Sequence, residues 1–415
     1  MKILRYIFSF LFCAVPAFCS SQVSDFDTLY VRSSVNELCR NAYHGRGFVK
    51  DGDIKASKYI LKQFKKSDLK FFNRMPYQDF SFNVNTFPAS MELSFCESKL
   101  KPGVDYIVHP ASASLTGEFQ IMEPNSTNNG DGFYVFKNES VKDLDKRKLI
   151  DSLIVENDKL DGIVFTGVEK LTWSVSLTQL KIPVIYLKSG VFDPKCKTLK
   201  IDIDADFRPH LTRNVIGYIE GSLYPDSFIV LTGHYDHLGM MGAKTQFTGA
   251  NDNASGIAMM LGLAKFYALE ENRPEYSLAF MAFAGEEAGL IGSEFYVNNP
   301  LFPLPNIKFL INMDLMGAGE EGIMVVNGTE YPGKMSLLRS INKDKELFVE
   351  IGERGKAANS DHYYFSENDV PSFFIYTMGP RKSYHDVYDI PQTLEFPKME
   401  STFQLISSFI KSIGD

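Results

Sequence analysis

Positive charge is in short supply in this chain: 43 Lys and Arg stand against 51 Asp and Glu, a formal net charge of −8. Nothing in it resembles the basic patch or stripe of a nucleic-acid binder. Cysteine is scarce as well. Two of the five cysteines fall within the first 19 residues, which leaves Cys39, Cys96 and Cys196. Three widely spaced cysteines make neither a disulfide framework nor a zinc-ligand cluster. One disulfide with an odd thiol fits them, and so do three buried thiols. Internal repeats and long low-complexity tracts are absent. What is present is 415 residues, 44% hydrophobic and 13% aromatic. That suffices for a large core in two or three domains and marks an ordered chain.

The one long apolar run opens the chain. Lys2 and Arg5 lead into "YIFSFLFCAVPAF" (6–18), and small residues follow. This is the pattern of a signal peptide, too short to span a bilayer and interrupted by Pro16. Cleavage is expected near Ser21. Lipid attachment at Cys19 is the alternative, although Phe18 before it fits poorly. Loss of Lys2 and Arg5 would take the formal charge from −8 to −10. No later stretch approaches the ~20 apolar residues of a membrane helix. The expectation is an exported protein: periplasmic, cell-surface or secreted.

Residues 22–100 begin helix-rich. After the loop "HGRGF" (44–48), Ala56, Tyr59, Ile60 and Phe64 keep helical spacing. Short β segments such as "YQDFSFNVNTF" follow. Residues 101–205 read as a separate, smaller β-rich α+β unit. It has strand candidates at 162–167 and 182–187, a turn-rich loop at 125–132 and the single tryptophan, Trp173. It carries no cluster of reactive residues. From 206 to 415 the pattern changes. Apolar strands at 227–233, 277–283, 307–313 and 371–377 alternate with helices, one of them through Ile257, Met260, Leu261, Ala264 and Ala268. Strands apolar on both faces, between helices, predict an α/β domain around a mainly parallel sheet.

The polar residues of this region sit at strand ends. "LTGHYDHLG" carries His234 and Asp236, and "TGANDNASG" carries Asp252 just ahead of a helix. "AGEEAG" carries Glu286 and Glu287, "INMDLMG" carries Asp314, and "YHDVYD" carries His385 and Asp389. In open α/β sheets, sites gather beyond the carboxyl ends of the strands. Acids and imidazoles collected there destabilise one another unless a cation holds them. His with Asp and Glu, and no Cys, suits zinc or a similar divalent ion. His234, Asp252, Glu287, Asp314 and His385 are too many ligands for one open tetrahedral site. They suit two metals about 3.5–4 Å apart that share a carboxylate.

Adjacent residues of an extended chain point in opposite directions. One of Glu286 and Glu287 can therefore bind metal while the other stays free as a base. A metal pair makes its bound water more acidic and polarises a carbonyl. A free glutamate can take the proton of that water and pass it to a leaving amine. The combination is that of a metal-assisted amide hydrolase. Each piece alone is weak: a lone HxD, a lone EE or an Asp after a strand is more often an ordinary polar surface or turn. The conjunction carries the reading. Asp236 is expected to accept from the non-metal nitrogen of His234, and Asp361 in "NSDHYYF" is a weaker candidate of the same kind. His44, His109 and His210 read as structural, His237 and His362 as structural or rim residues. The Asn253 glycosylation triplet is expected to be unused, because a glycan there would collide with the site.

Seven segments, "NVIGYIEG", "GHYDHLG", "GANDNASGIA", "AFAGEEAGLIGS", "NMDLMG", "SDHYYF" and "YHDVYD", together resemble the M28 family of zinc peptidases between Asn214 and Asp389. Members include bacterial aminopeptidases and carboxypeptidases. The resemblance implies two zinc ions bridged by Asp252, with Glu287 and His385 completing one site and His234 and Asp314 the other. It implies Glu286 as general base, a peptide substrate, and a three-layer α/β/α sandwich with a mixed sheet. Residues 101–205 loosely resemble the protease-associated insert of many members. One departure concerns "GERGKAAN" before "SDH", which lacks the tyrosine and disulfide of some aminopeptidases, so the oxyanion stabiliser goes unnamed. An aminopeptidase is the expected activity. A carboxypeptidase or dipeptidase is the alternative, with Arg381 or Lys382 binding a substrate carboxylate. Glutaminyl cyclase relatives have a tryptophan-lined pocket, which the lone Trp173 disfavours. An inactive binding protein is disfavoured because all six positions are intact.

Overall fold

The computed structural model describes residues 26–123, 131–140 and 143–414. The expected signal peptide, its cleavage site and Cys19 lie outside them, as does most of the 125–132 loop.

The central sheet takes eight strands: β1 (Tyr77–Thr86), β2 (Asp206–Ile219), β3 (Tyr224–His234), β4 (Tyr276–Phe283), β5 (Ile307–Met313), β6 (Gly322–Val326), β7 (Ile351–Glu353) and β8 (Ser372–Met378). They lie in the order β1-β2-β4-β3-β5-β8-β6-β7. The inner four, β4, β3, β5 and β8, are parallel. β1 and β2 add antiparallel pairs on one side, and β6 runs antiparallel to β8 on the other. The parallel centre is what the apolar strands predict, and the mixed sheet around it is what the family resemblance implies.

Side chains alternate across a strand, and here both faces are packed. Ile229 and Leu231 of β3 face one core with Phe280 of β4, while Phe228 and Val230 face the other with Met281 and Phe283. Helices Thr28–Leu38, Gly52–Lys66, Gly256–Tyr267, Pro332–Lys345 and Met399–Gly414 cover the first face. Helices Ile291–Asn298 and His362–Glu367 cover the second through Tyr296 and Phe365. This is the three-layer α/β/α arrangement. Helix Gly256–Tyr267 is buried on every side from Gly256 to Ala264, as an all-round apolar helix should be. Helix Thr28–Leu38 closes its outer side so tightly that a Cβ at Gly262 would lie 2.8 Å from the Val31 side chain.

A second eight-stranded sheet occupies Met91 to Ile203, with helix Asp143–Glu156. It starts ten residues before the 101 boundary read from the sequence, because the hairpin Met91–Phe95/Ser98–Leu100 pairs with Thr198–Ile203. Cys96 in that hairpin turn is bonded to Cys196, and Cys39 is a buried free thiol. Of the two cysteine readings, the single disulfide holds. Burial pushes the Cys39 thiol up to about 12.

The disulfide joins residues 100 apart, a long loop whose closure restricts the unfolded chain. Replacing both cysteines by serine should lower the stability of this unit by about 2–4 kcal/mol. Trp173, the only tryptophan and buried in the same unit, reports its unfolding by fluorescence in a urea titration. An unchanged midpoint would refute the expectation.

Candidate active site

Because β3, β4, β5 and β8 are parallel, their carboxyl ends open on one edge. His234 is the last residue of β3, and Asp314 directly follows β5. Glu286 and Glu287 follow β4, His385 lies in the loop after β8, and Asp252 enters from the turn ahead of helix Gly256–Tyr267. The structure brings all six together. His234 Nε2 lies 3.4 Å from Asp252 Oδ1 and 3.3 Å from Asp314 Oδ2. His385 Nε2 lies 3.0 Å from Asp252 Oδ2 and 3.2 Å from Glu287 Oε2. The two oxygens of Asp252 thus face two separate donor sets. Glu286 Oε2 stands 3.9 Å from His234 Nε2.

His237, read as a structural or rim residue, is fully buried inside this group. Its Nδ1 is 2.7 Å from Glu287 Oε1 and 4.0 Å from Asp252 Oδ1. The remaining histidines stay apart from it. Buried His210 pairs with Asp53 at 2.8 Å, and burial lowers both His109 and His362 to about 4.

Backbone contacts hold the acids in place. Asp389 accepts the N–H groups of Asn251 (2.9 Å) and Asp252 (3.0 Å). Asp236 differs from expectation. His234 Nδ1 lies 3.2 Å from the backbone carbonyl of Asp236, whose carboxylate is 3.9 Å away. That carboxylate instead accepts the N–H groups of Glu286 and Glu287, each at 3.2 Å. A carbonyl two residues on reaches the ring more easily than the side chain, which is drawn to the two adjacent donors of the turn. Ser360, the neighbour of Asp361, hydrogen-bonds Asp314 Oδ2 at 3.4 Å and is itself fixed by Asn312 at 2.7 Å. Asn253 is buried, donating to Met313 O at 3.0 Å and accepting from Gly256 N at 2.9 Å, so its glycosylation triplet is closed to a glycan.

Two positioning residues were not legible in the sequence. Arg46, from the "HGRGF" loop, is wholly buried. It donates to the carbonyls of Tyr235 (2.8 Å), Thr248 (2.8 Å), Gly249 (2.7 Å) and Asp252 (3.1 Å). Trp173, from the second sheet unit, offers its carbonyl to His385 Nδ1 at 3.1 Å and takes the carbonyl of His385 on its own N–H at 2.9 Å. Both lie more than 100 residues from what they hold, so no local spacing announces them.

The electrostatics are those of a cation site. Burial raises Glu286 well above the usual carboxylate range, and the neighbouring Glu287 adds to it. Burial and Asp252 push Glu287 the same way, but His385 and the hydrogen bond from His237 outweigh them and hold it at about 2. Burial opposes the charge of His385, yet Glu287 and Asp252 raise it to about 11. Asp314 Oδ1 and His237 Nε2 are buried without a hydrogen-bond partner. Ligand atoms of His234, Asp252 and Asp314 lie within 4.8 Å of one another. The donor set therefore fits divalent metal: oxygens and imidazole nitrogens converge, and some have no other partner.

His234, Asp252, Glu286, Asp314 and His385 line a cavity of about 200 Å³ with Leu315, Arg354, Asn359, Phe374, Tyr376 and Tyr384. A larger groove of about 810 Å³ in the second sheet unit carries none of them. Tyr384 stacks on His385 at 3.9 Å. Burial and the carboxylates raise its phenol, so it stays protonated as a donor. Lys382 lines a different cavity, and neither it nor Arg381 lines this one.

Residues 214–410 match the family described as Peptidase family M28. This region, a little under half of the chain, is that of an M28 peptidase. Among curated relatives, a probable zinc metalloprotease of Pyricularia oryzae is 36% identical over 107 residues, 25% of this chain and 21% of that protein. A vacuolar membrane protease of Candida dubliniensis is 26% identical over 205 residues, 48% of this chain and 20% of that protein. The chain spans about a quarter or less of the length of the curated relatives it matches. A zinc aminopeptidase from Bacillus subtilis has the same fold, with a TM-score of 0.68 and 18% identity, covering 93% of this chain and 95% of that one. An aminopeptidase from Aneurinibacillus sp. strain AM-1 gives 0.63 and 17%, covering 93% of each.

Arg46→Met would strip donors from four buried carbonyls. At ~1–3 kcal/mol for each unsatisfied group, a loss of at least about 3 kcal/mol is expected in chemical denaturation. Weaker divalent-metal retention against a chelator should accompany it. Arg46→Lys should not restore either, because an ammonium cannot reproduce the fork. A loss below about 1 kcal/mol would show that Arg46 does not hold this loop.

Proposed function

We propose that the chain is an exported, zinc-dependent exopeptidase, an aminopeptidase that removes residues from the N-termini of peptides. One observation carries this reading: Asp252 presents one oxygen to His234 at 3.4 Å and the other to His385 at 3.0 Å. That is the placement a carboxylate bridging two ions needs. His234 and Asp314 would hold one ion, Glu287 and His385 the other, with His237 orienting Glu287. Zinc held there supplies Lewis acidity, which polarises a peptide carbonyl and makes water more acidic.

The chain's own groups do the rest. Glu286 takes the proton of the attacking water and delivers it to the leaving amine nitrogen. Asp236 fixes Glu286 and Glu287 through their backbone N–H groups, as a positioning residue. Tyr384 keeps its proton and is the available neutral donor beside the reacting carbonyl. The named activity of the structural neighbours supports the N-terminal direction of attack. The Cys96–Cys196 disulfide supports export, since such bonds persist in oxidising compartments. Among the described residues no helix is long and apolar enough to cross a membrane.

Glu286→Gln should keep its metal content, read by elemental mass spectrometry, and lose about 10²–10⁴-fold in turnover, read as free amino acids released from a peptide pool. Metal loss in this variant would mean that the two glutamates have exchanged roles. In the wild type, a chelator should abolish release and zinc should restore it. Trimming from C-termini, or release that survives the chelator, would overturn the reading.

A further inference from the structure

Among the described residues, the site cavity is lined by acids, by imidazoles and by one permanent cation, Arg354. We infer that Arg354 is a carboxylate receptor that selects anionic substrates, an inference that rests on the peptidase reading above.

Arg354 directly follows β7, and its backbone is tied down by Arg354 N donating to Val325 O at 2.9 Å. Its Nη1 donates to the Tyr376 hydroxyl at 3.3 Å. A guanidinium has five N–H donors in a planar fork, and no carboxylate among the described residues lies within ion-pair distance of this one. Arg339, by contrast, is paired with Glu353 at 3.3 Å, and Lys356 is paired with Glu367. Arg354 and Asn359, both exposed, line the cavity of about 200 Å³.

The lining acids Asp252, Glu286 and Asp314 face the imidazoles of His234 and His385, and none of the ion pairs among the described residues reaches Arg354. The group that fits an unmatched guanidinium bidentately is a carboxylate. Leu315, Phe374 and Tyr376 line the apolar stretch alongside, where a short aliphatic stem would lie. An acidic side chain at the residue being released supplies that carboxylate, and so does the terminal carboxylate of a dipeptide. Arg381 and Lys382, the cations weighed from the sequence, do not line this cavity.

Two pairs of dipeptides test this on zinc-loaded protein. Glu-Ala-amide against Gln-Ala-amide isolates a side-chain carboxylate. Leu-Ala against Leu-Ala-amide isolates a terminal one. Release is followed in the wild type, and binding by calorimetry in Glu286→Gln. In one pair the anionic member should be favoured about tenfold or more in both kcat/KM and affinity. The pair that responds identifies the source. Arg354→Gln should bring that ratio close to one, and Arg354→Glu should reverse it in favour of the uncharged member. Hydrolysis without any anionic preference in either pair overturns the Arg354 assignment and leaves the peptidase reading standing. So does a preference that Arg354→Gln and Arg354→Glu both leave intact. Arg354-dependent binding without hydrolysis keeps the receptor and removes the peptidase reading.

Discussion

Four carboxylates, Asp252, Glu286, Glu287 and Asp314, lie largely buried within reach of three imidazoles, those of His234, His237 and His385, and their mutual repulsion is the force that the surrounding structure must contain. Bulk water cannot screen them there, so fixed donors must. Asp389 anchors the backbone at Asp252, and Asp236 anchors it at Glu286 and Glu287. Arg46 fixes the same Asp252 turn through its carbonyls. Two buried acids are thus spent on backbone N–H groups rather than on the cavity. The parallel centre of the sheet makes this possible, since it sends four strand ends to one edge and no antiparallel pairing would do so.

The second sheet unit takes part in this arrangement. Its Trp173 exchanges hydrogen bonds with His385 through both backbone groups, and its indole N–H is fixed on Val108 O at 2.9 Å. Lys170 of the same segment donates to Lys382 O at 2.8 Å. His385 is the one member of the cluster carried by a long loop rather than by a strand end or a helix entry. It is also the member braced by the second sheet unit. A histidine on a loop needs its ring orientation set by a neighbour, and here a carbonyl from a separate unit sets it.

Much of this was legible in the sequence because the signals are local. The inner strands β3, β4, β5 and β8 are apolar runs, and five of the six clustered groups directly follow such a run or open a helix, with His385 in the loop after the last. The order of the strands, and the antiparallel β1, β2 and β6, were not legible, since pairing between distant segments leaves no mark in either one. The boundary at residue 101 fell late for the same reason: the hairpin from Met91 to Leu100 belongs to the second sheet only through its pairing with Thr198–Ile203. Arg46 sits in a glycine-containing loop that reads as polar surface, yet its side chain is wholly buried. A lone arginine between glycines gives no sign of the four carbonyls that will surround it.

The adjacent glutamates show how one turn produces two chemistries. Their backbone N–H groups share a single acceptor, Asp236, so the turn itself does not distinguish them. The difference lies in what each side chain meets. Glu287 reaches two imidazoles, His237 at 2.7 Å and His385 at 3.2 Å, and is held ionised at about 2. Glu286 meets the imidazole of His234 at 3.9 Å, while burial and the charge of Glu287 raise it. The ionised member therefore favours protonation of its neighbour. Two like groups whose proton affinities are driven apart by their surroundings can divide ligand and acid–base roles between them. An exchange of those surroundings, rather than of the residues, would be needed to exchange the roles.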